Sequence, residues 1–179
     1  MICYEIGHRT KSFSRSEIEN AKLFSSLFLE VERLIHSGYS TFISGLADGV
    51  DTDFAEIVMC FRDRALYDIS LEAALPYINK KSTSKLLYLL SMSDDIHLTS
   101  THFHKGCVQK RNELMVDKAD LVLAIWDGSL TGTEPIWFEM ENSLPNCVKK
   151  ACQFINCLHF FALLSNLFSH LKLLASPNE

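Results

Sequence analysis

Short apolar segments alternate with longer segments of helical periodicity along residues 1–126, and this alternation limits the fold more than any other feature. The strand-like segments are 2–6, 41–44, 69–75, 95–98 and 121–126, and helical patterns lie between them. The last run is apolar almost throughout, which is typical of a strand buried on both faces. Strands that alternate with helices predict an α/β, Rossmann-like three-layer fold with a mostly parallel central sheet.

The C-terminal segment, residues 136–179, has a less regular pattern. No Asp, Glu, Lys or Arg lies between Lys150 and Lys172, and the stretch is rich in Leu and Phe. Interspersed polar residues make it too polar for a convincing membrane span. We expect a mainly helical C-terminal extension of the same domain as residues 1–135. It would pack on the sheet or bury its apolar face in a homodimer.

Overall charge and cysteine spacing exclude several classes of function. The formal net charge of −5 disfavours a broad nucleic-acid-binding surface, which needs a basic excess. The first nine residues carry charges where a signal peptide would need an apolar run, so we expect a cytoplasmic protein with reduced cysteines. None of the six cysteines forms a CxxC pair, and no metal site is expected.

Three glycine-containing turns carry the chemistry, and each follows a predicted strand. They are Gly7-His8-Arg9, residues 44–51 and residues 127–133. In a parallel sheet, the turns that follow the strands meet at one edge, where such folds bind ligands. Glycines allow the backbone to approach a ligand, and a helix that begins after the turn adds a partial positive charge. Together these features predict a phosphate site.

Side chains in and near these turns supply the polar groups that a nucleotide needs. Arg9 and Arg111 offer guanidinium groups, whose geometry suits phosphate. Asp51 has two open readings, as the N-cap of its helix or as an acceptor for ribose hydroxyls, a role that Asp127 would also suit. Hydroxyl donors are available at three further positions, Ser44, Ser129 and Thr133.

The same residues resemble the SLOG superfamily, specifically its YspA/YpsA-type members. The resemblance covers residues 1 to about 135. It rests on Gly7-His8-Arg9, residues 42–51, Ala55-Glu56, Pro76, Arg111-Asn112, residues 115–117, and residues 120–128 followed by Gly132-Thr133. It implies a Rossmann-like domain that binds a nucleotide or ADP-ribose-like ligand as a sensor, sequestering or processing protein, often in prophage or conflict systems. No separate cofactor is implied.

The resemblance, together with the turns, gives a set of expected ligand-contacting residues. These are Gly7, His8, Arg9, Ser44, Gly45, Gly49, Asp51, Arg111, Asn112, Asp127, Gly128, Gly132 and Thr133.

Two related activities stay open as alternatives. LOG-type phosphoribohydrolases cleave the base from a nucleoside monophosphate and place a catalytic glutamate three residues after the motif threonine. Ile136 occupies that position here, so Glu134, Asp51 and Asp127 are the carboxylates placed for this chemistry, with Glu134 and Asp127 as the catalytic candidates. A DNA-binding relative of DprA is the third reading, and the acidic charge balance counts against it.

Overall fold

The computed structural model describes residues 1–7, 17–64, 67–78, 82–126 and 151–156. Within them, strands and helices alternate as the sequence predicts. The elements are β1 (Ile2–Gly7), α1 (Glu17–His36), β2 (Thr41–Ser44), α2 (Val50–Asp63), β3 (Ser70–Leu75), α3 (Ser84–Met92), β4 (Asp95–Leu98), α4 (Cys107–Lys118), β5 (Leu121–Trp126) and β6 (Ala151–Asn156).

The strands form one six-stranded sheet in the order β4-β3-β2-β1-β5-β6, and every neighbouring pair is parallel. The chain therefore moves outward from β1 to β4 and then returns, through α4, to the other side of β1. This arrangement confirms the predicted α/β class with a parallel central sheet.

Two cores, one on each face of the sheet, make the three layers. On the first face, α1, α2 and α3 pack through residues such as Val31, Phe54 and Leu89. On the opposite face, α4 packs through Met115 and Val116. Residues 121–125 of β5 are all buried and alternate between the two cores. This burial explains why that strand is apolar almost throughout.

The C-terminal segment differs from the expectation in one part. Residues 151–156, which were expected to be helical, form β6 and pair with β5 from Leu121↔Ala151 to Trp126↔Asn156. The reason is that β5 would otherwise be an edge strand with unpaired backbone groups, and parallel pairing satisfies them. The rest of residues 136–179 lies outside the described residues.

None of the helices within the described part of the chain is long and apolar enough to cross a lipid bilayer.

Candidate functional site at the carboxyl edge of the sheet

The topology places the expected ligand crevice between β1 and β5. The strand that follows β1 in sequence, β2, lies on one side of this pair, and the strand that follows β5, β6, lies on the other side. Ligands of open α/β sheets bind where the strand order reverses in this way. The segments that follow these two strands, 8–16 and 127–150, lie outside the described residues. So do several predicted site residues, namely His8, Arg9, Asp127, Gly128, Ser129, Gly132, Thr133 and Glu134. The turn after the neighbouring strand β2 is described in full.

That turn is held by hydrogen bonds within itself. The buried Ser44 hydroxyl donates to the carbonyl of Asp51 (2.8 Å) and accepts from the amide of Leu46 (3.2 Å). The amide of Ala47 donates to Asp51 Oδ2 (3.3 Å). The amides of Leu46 and Ala47 therefore have acceptors within the turn. This use of Ser44 is structural, whereas the sequence alone suggested a donor to the ligand.

Backbone conformation in the turn is unusual at two residues. Leu46 adopts a φ of 48°, in the left-handed region that a branched apolar residue rarely occupies. Gly49 has φ 118° and ψ −132°, a conformation that residues with a Cβ avoid. Such strain persists only where surrounding contacts impose it, and it is frequent at ligand sites.

Asp51 is not the N-cap of α2, so that reading of the sequence was wrong. Gly49 is the N-cap, and Asp51 lies one residue inside the helix, buried, with its carboxylate turned back to the amide of Ala47. A glycine fits the cap because the backbone there requires positive φ. The carboxylate still lies near the partial positive charge of the helix N-terminus, where an anion is stabilised.

Arg111, in the second turn of α4, reaches the turn after β2 from the opposite face of the sheet. It is only 8% exposed, although a guanidinium is one of the groups least often buried. Its Nη1 donates to the carbonyl of Gly45 (3.3 Å), and Nε and Nη2 both donate to Asn112 Oδ1 (3.0 and 2.7 Å). These contacts use three of the five N–H groups that a guanidinium carries. Asn112 thus orients Arg111.

Arg111 and Asp51 fill the space beside Gly45, so any larger residue there would have to displace one of these side chains. A Cβ at this position would lie 2.5 Å from Arg111 Nη1 and 2.8 Å from Asp51 Oδ2. Both distances are shorter than van der Waals contact allows. The structure therefore brings together three predicted site residues, Gly45, Asp51 and Arg111, around the end of β2.

Glu5 is a residue of this site that the sequence reasoning missed. It lies near the end of β1, is completely buried, and neither carboxyl oxygen has a hydrogen-bond partner among the described residues. A Cβ on Gly7 would lie 2.8 Å from Glu5 Oε1 and 2.8 Å from Val50 Cβ, so Gly7 allows α2 to begin directly above Glu5. The available signal was a charged residue inside an otherwise apolar strand.

A cavity of about 400 Å³ opens beside Gly45 and Arg111. On its polar side, residues 45–48 and Arg111 line the cavity, with Asp48 and Arg111 as the charged side chains, and Leu75 at the end of β3 also lines it. The segment 76–78 and three leucines of α3 (Leu86, Leu87 and Leu90) form an apolar wall. A largely apolar pocket with a few polar groups on one side is the usual form of a small-molecule site.

A second polar cluster lies away from the cavity, where α4 ends. Lys118 Nζ lies 2.9 Å from Glu72 Oε2 and 2.8 Å from His97 Nε2, and these two atoms are 2.7 Å apart. With Asp95, Glu72 and His97 place potential metal-ligand atoms within 4.8 Å of one another. The Lys118 ammonium already supplies positive charge there, and we assign this cluster to stability.

Comparison of the chain with protein-family models and with curated proteins finds no match. The resemblance to the SLOG superfamily therefore stays a prediction from the sequence motifs.

Proposed function

We propose that this protein binds a phosphate-bearing, nucleotide-derived small molecule at the carboxyl edge of its sheet, as a sensor, sequestering or processing protein of SLOG type. The observation that carries the proposal is the buried Arg111 guanidinium at the polar side of a 400 Å³ cavity whose other wall is apolar. A phosphate suits the guanidinium, and a base or another flat, apolar group suits the wall.

The internal hydrogen bonds of the turn after β2 decide where the phosphate lies in this proposal. Because the amides of Leu46 and Ala47 already donate to Ser44 and Asp51, they are poor candidates for anion binding. The Asp51 carboxylate also opposes an anion at the N-terminus of α2. We therefore assign the phosphate to the Arg111 side of the cavity and the ribose hydroxyls to the side lined by residues 45–48, next to the start of α2.

A ligand panel tests the proposal directly. Nucleotides, dinucleotides, cyclic nucleotides and ADP-ribose are added to the purified protein, and the melting temperature and calorimetric heat are measured. A ligand at a hundred times its Kd stabilises the native state by about 2.7 kcal/mol. A panel that produces neither a thermal shift nor heat would overturn the proposal.

A substitution then assigns the site. Arg111→Gln should weaken binding of the panel member that binds by roughly tenfold to a hundredfold, because a charge-assisted hydrogen bond contributes about 1.5–3 kcal/mol. Arg33→Gln is the matched control, since Arg33 lies on the exposed side of α1 and pairs with Glu30. If the two variants lose the same amount of affinity for the ligand, the binding site lies elsewhere.

The same panel separates a binder from a hydrolase. Incubation of the protein with nucleoside monophosphates, followed by chromatography, should show no free base. Multiple-turnover release of base would instead support LOG-type chemistry and direct attention to Glu134 and Asp127.

A further inference from the structure

The proposed ligand contacts give Glu5 no role, although its position beside them is unusual. Its side chain lies on the same face of β1 as Cys3 and Gly7, and its partner across the sheet is Leu123 of β5. It is 0% exposed, and both carboxyl oxygens lack hydrogen-bond partners within the described part of the chain. A buried carboxylate normally has several donors, because ionised groups lose their hydration on burial.

The charged groups around Glu5 come from two helices. Burial raises the pKa of Glu5 most, and Asp51 at the start of α2 raises it further. Arg111 of α4 lowers the pKa, and Asp53 of α2 raises it by a smaller amount, so that the pKa lies well above its usual value.

Among the described residues, the two strands next to β1 place no ionisable side chain beside Glu5. Strand β2 carries no ionisable side chain, and the neighbour on β5 is Leu123. On β1 itself, burial raises the pKa of Cys3 strongly, and Glu5 and then Glu30 of α1 raise it further, so the Cys3 thiol stays neutral.

We propose that Glu5 is a neutral carboxylic acid in the ligand-free protein at neutral pH, and that its ionisation at higher pH weakens the binding of a phosphorylated ligand at Arg111. This inference rests on the proposed function. While Glu5 is neutral, the Asp51 carboxylate, which lies beside Gly45 as Arg111 does, supplies negative charge next to the guanidinium. When Glu5 ionises, a second negative charge competes for the guanidinium and repels the incoming anion.

Infrared spectroscopy tests the first half of the proposal without any ligand. In D₂O at pH 7, the protein should show the carbonyl stretch of a protonated carboxyl group, at a pH where exposed carboxyl groups are ionised. The band should disappear in Glu5→Gln and remain in Glu56→Gln, a matched control on the accessible side of α2 where Glu56 pairs with Lys85. If Glu5→Gln fails to fold, titration of the band in the unmodified protein decides. Its absence at pH 7 would overturn the proposal.

Calorimetry with ADP-ribose tests the second half. ADP-ribose is the chosen probe because both of its phosphates are esterified and do not titrate near neutral pH. Above the pKa of Glu5, the affinity of the unmodified protein should fall by up to about tenfold per pH unit, the limit for one linked proton. The affinity of Glu5→Gln, which mimics the neutral acid, should change by less than about twofold over the same range.

The outcomes separate the two proposals. Binding with the same pH dependence in the unmodified protein and in Glu5→Gln would overturn the linkage and leave the proposed function standing. No binding of ADP-ribose at any pH would overturn the linkage, while the full ligand panel would decide the proposed function. The infrared band decides the state of Glu5 in either case.

Discussion

Replacing Gly45 by alanine should displace the Arg111 guanidinium from the end of β2. The new methyl group would lie 2.5 Å from Arg111 Nη1 and 2.9 Å from its Cζ, well inside contact distance. Asp51 Oδ2, at 2.8 Å from the same point, prevents the methyl group from moving to the other side. Because Arg111 is buried, it has to give up its hydrogen bond to the Gly45 carbonyl in order to move.

The size of the effect follows from that hydrogen bond. A hydrogen bond to a charged group contributes about 1.5–3 kcal/mol to stability. For a chain of this length, each kcal/mol corresponds to about 2–4 °C in melting temperature. Gly45→Ala should therefore lower the melting temperature by roughly 3–12 °C. Urea denaturation gives the free energy of unfolding directly, provided that the transition is two-state.

A double-mutant cycle shows whether Arg111 is the cause. The free energy of unfolding is measured for the unmodified protein, Gly45→Ala, Arg111→Met and the double variant. Arg111→Met keeps an apolar stem and removes the group that the methyl group would strike. Gly45→Ala should then cost at least about 1 kcal/mol less in the Arg111→Met background. If the destabilisation of the double variant equals the sum of the two single-variant destabilisations to within about 0.5 kcal/mol, the reasoning is refuted.

Three further substitutions test other parts of the description. Gly49→Val should destabilise the fold by about 1–3 kcal/mol, because Gly49 has a φ of 118°, and an unchanged melting temperature would contradict this. Thr83→Ala should lower the free energy of unfolding, measured by urea denaturation, by about 1 kcal/mol, because the Thr83 side chain accepts a hydrogen bond from the Leu86 amide and caps α3. An unchanged free energy of unfolding would mean that the cap contributes nothing. Burial raises the pKa of Glu72, but hydrogen bonds from Lys118 and His97 outweigh burial and lower the pKa below 4.5. Glu72→Gln should therefore be less stable than the unmodified protein above pH 4.5, and the difference should shrink as the pH falls through the lowered pKa; a constant difference from pH 3 to pH 7 would count against this assignment.

Local patterns were sufficient to predict β1 to β5 and the helices between them. Strand β5 is the clearest example, because only a strand covered on both faces tolerates a run such as residues 121–125. Strand β6 was missed because Ala151–Asn156 has neither a clear two-residue alternation nor many β-branched residues. Its strand conformation comes from pairing with β5, a long-range interaction that a local pattern does not contain.

The proximity of the candidate site residues was predictable, and their hydrogen bonding was less so. Gly45 and Arg111 were expected there, and the structure places them together. Ser44 and Asp51 were also expected, but their side chains bond the backbone of their own turn. Serine and aspartate readily bond nearby backbone groups, so residue type alone does not show whether such a side chain faces a ligand.

The charge distribution around Gly45 limits which end of a ligand the described residues can bind. The partial positive charge at the start of α2 is already balanced by Asp51, and Asp48 and Asp53 add further negative charge nearby. Arg111, by contrast, keeps N–H groups beyond those that its described contacts use. An anionic group should thus enter along α4, and hydrogen-bond donors such as hydroxyl groups should face α2. This orientation brings the rest of the molecule against the leucines of α3, where the cavity has its apolar wall.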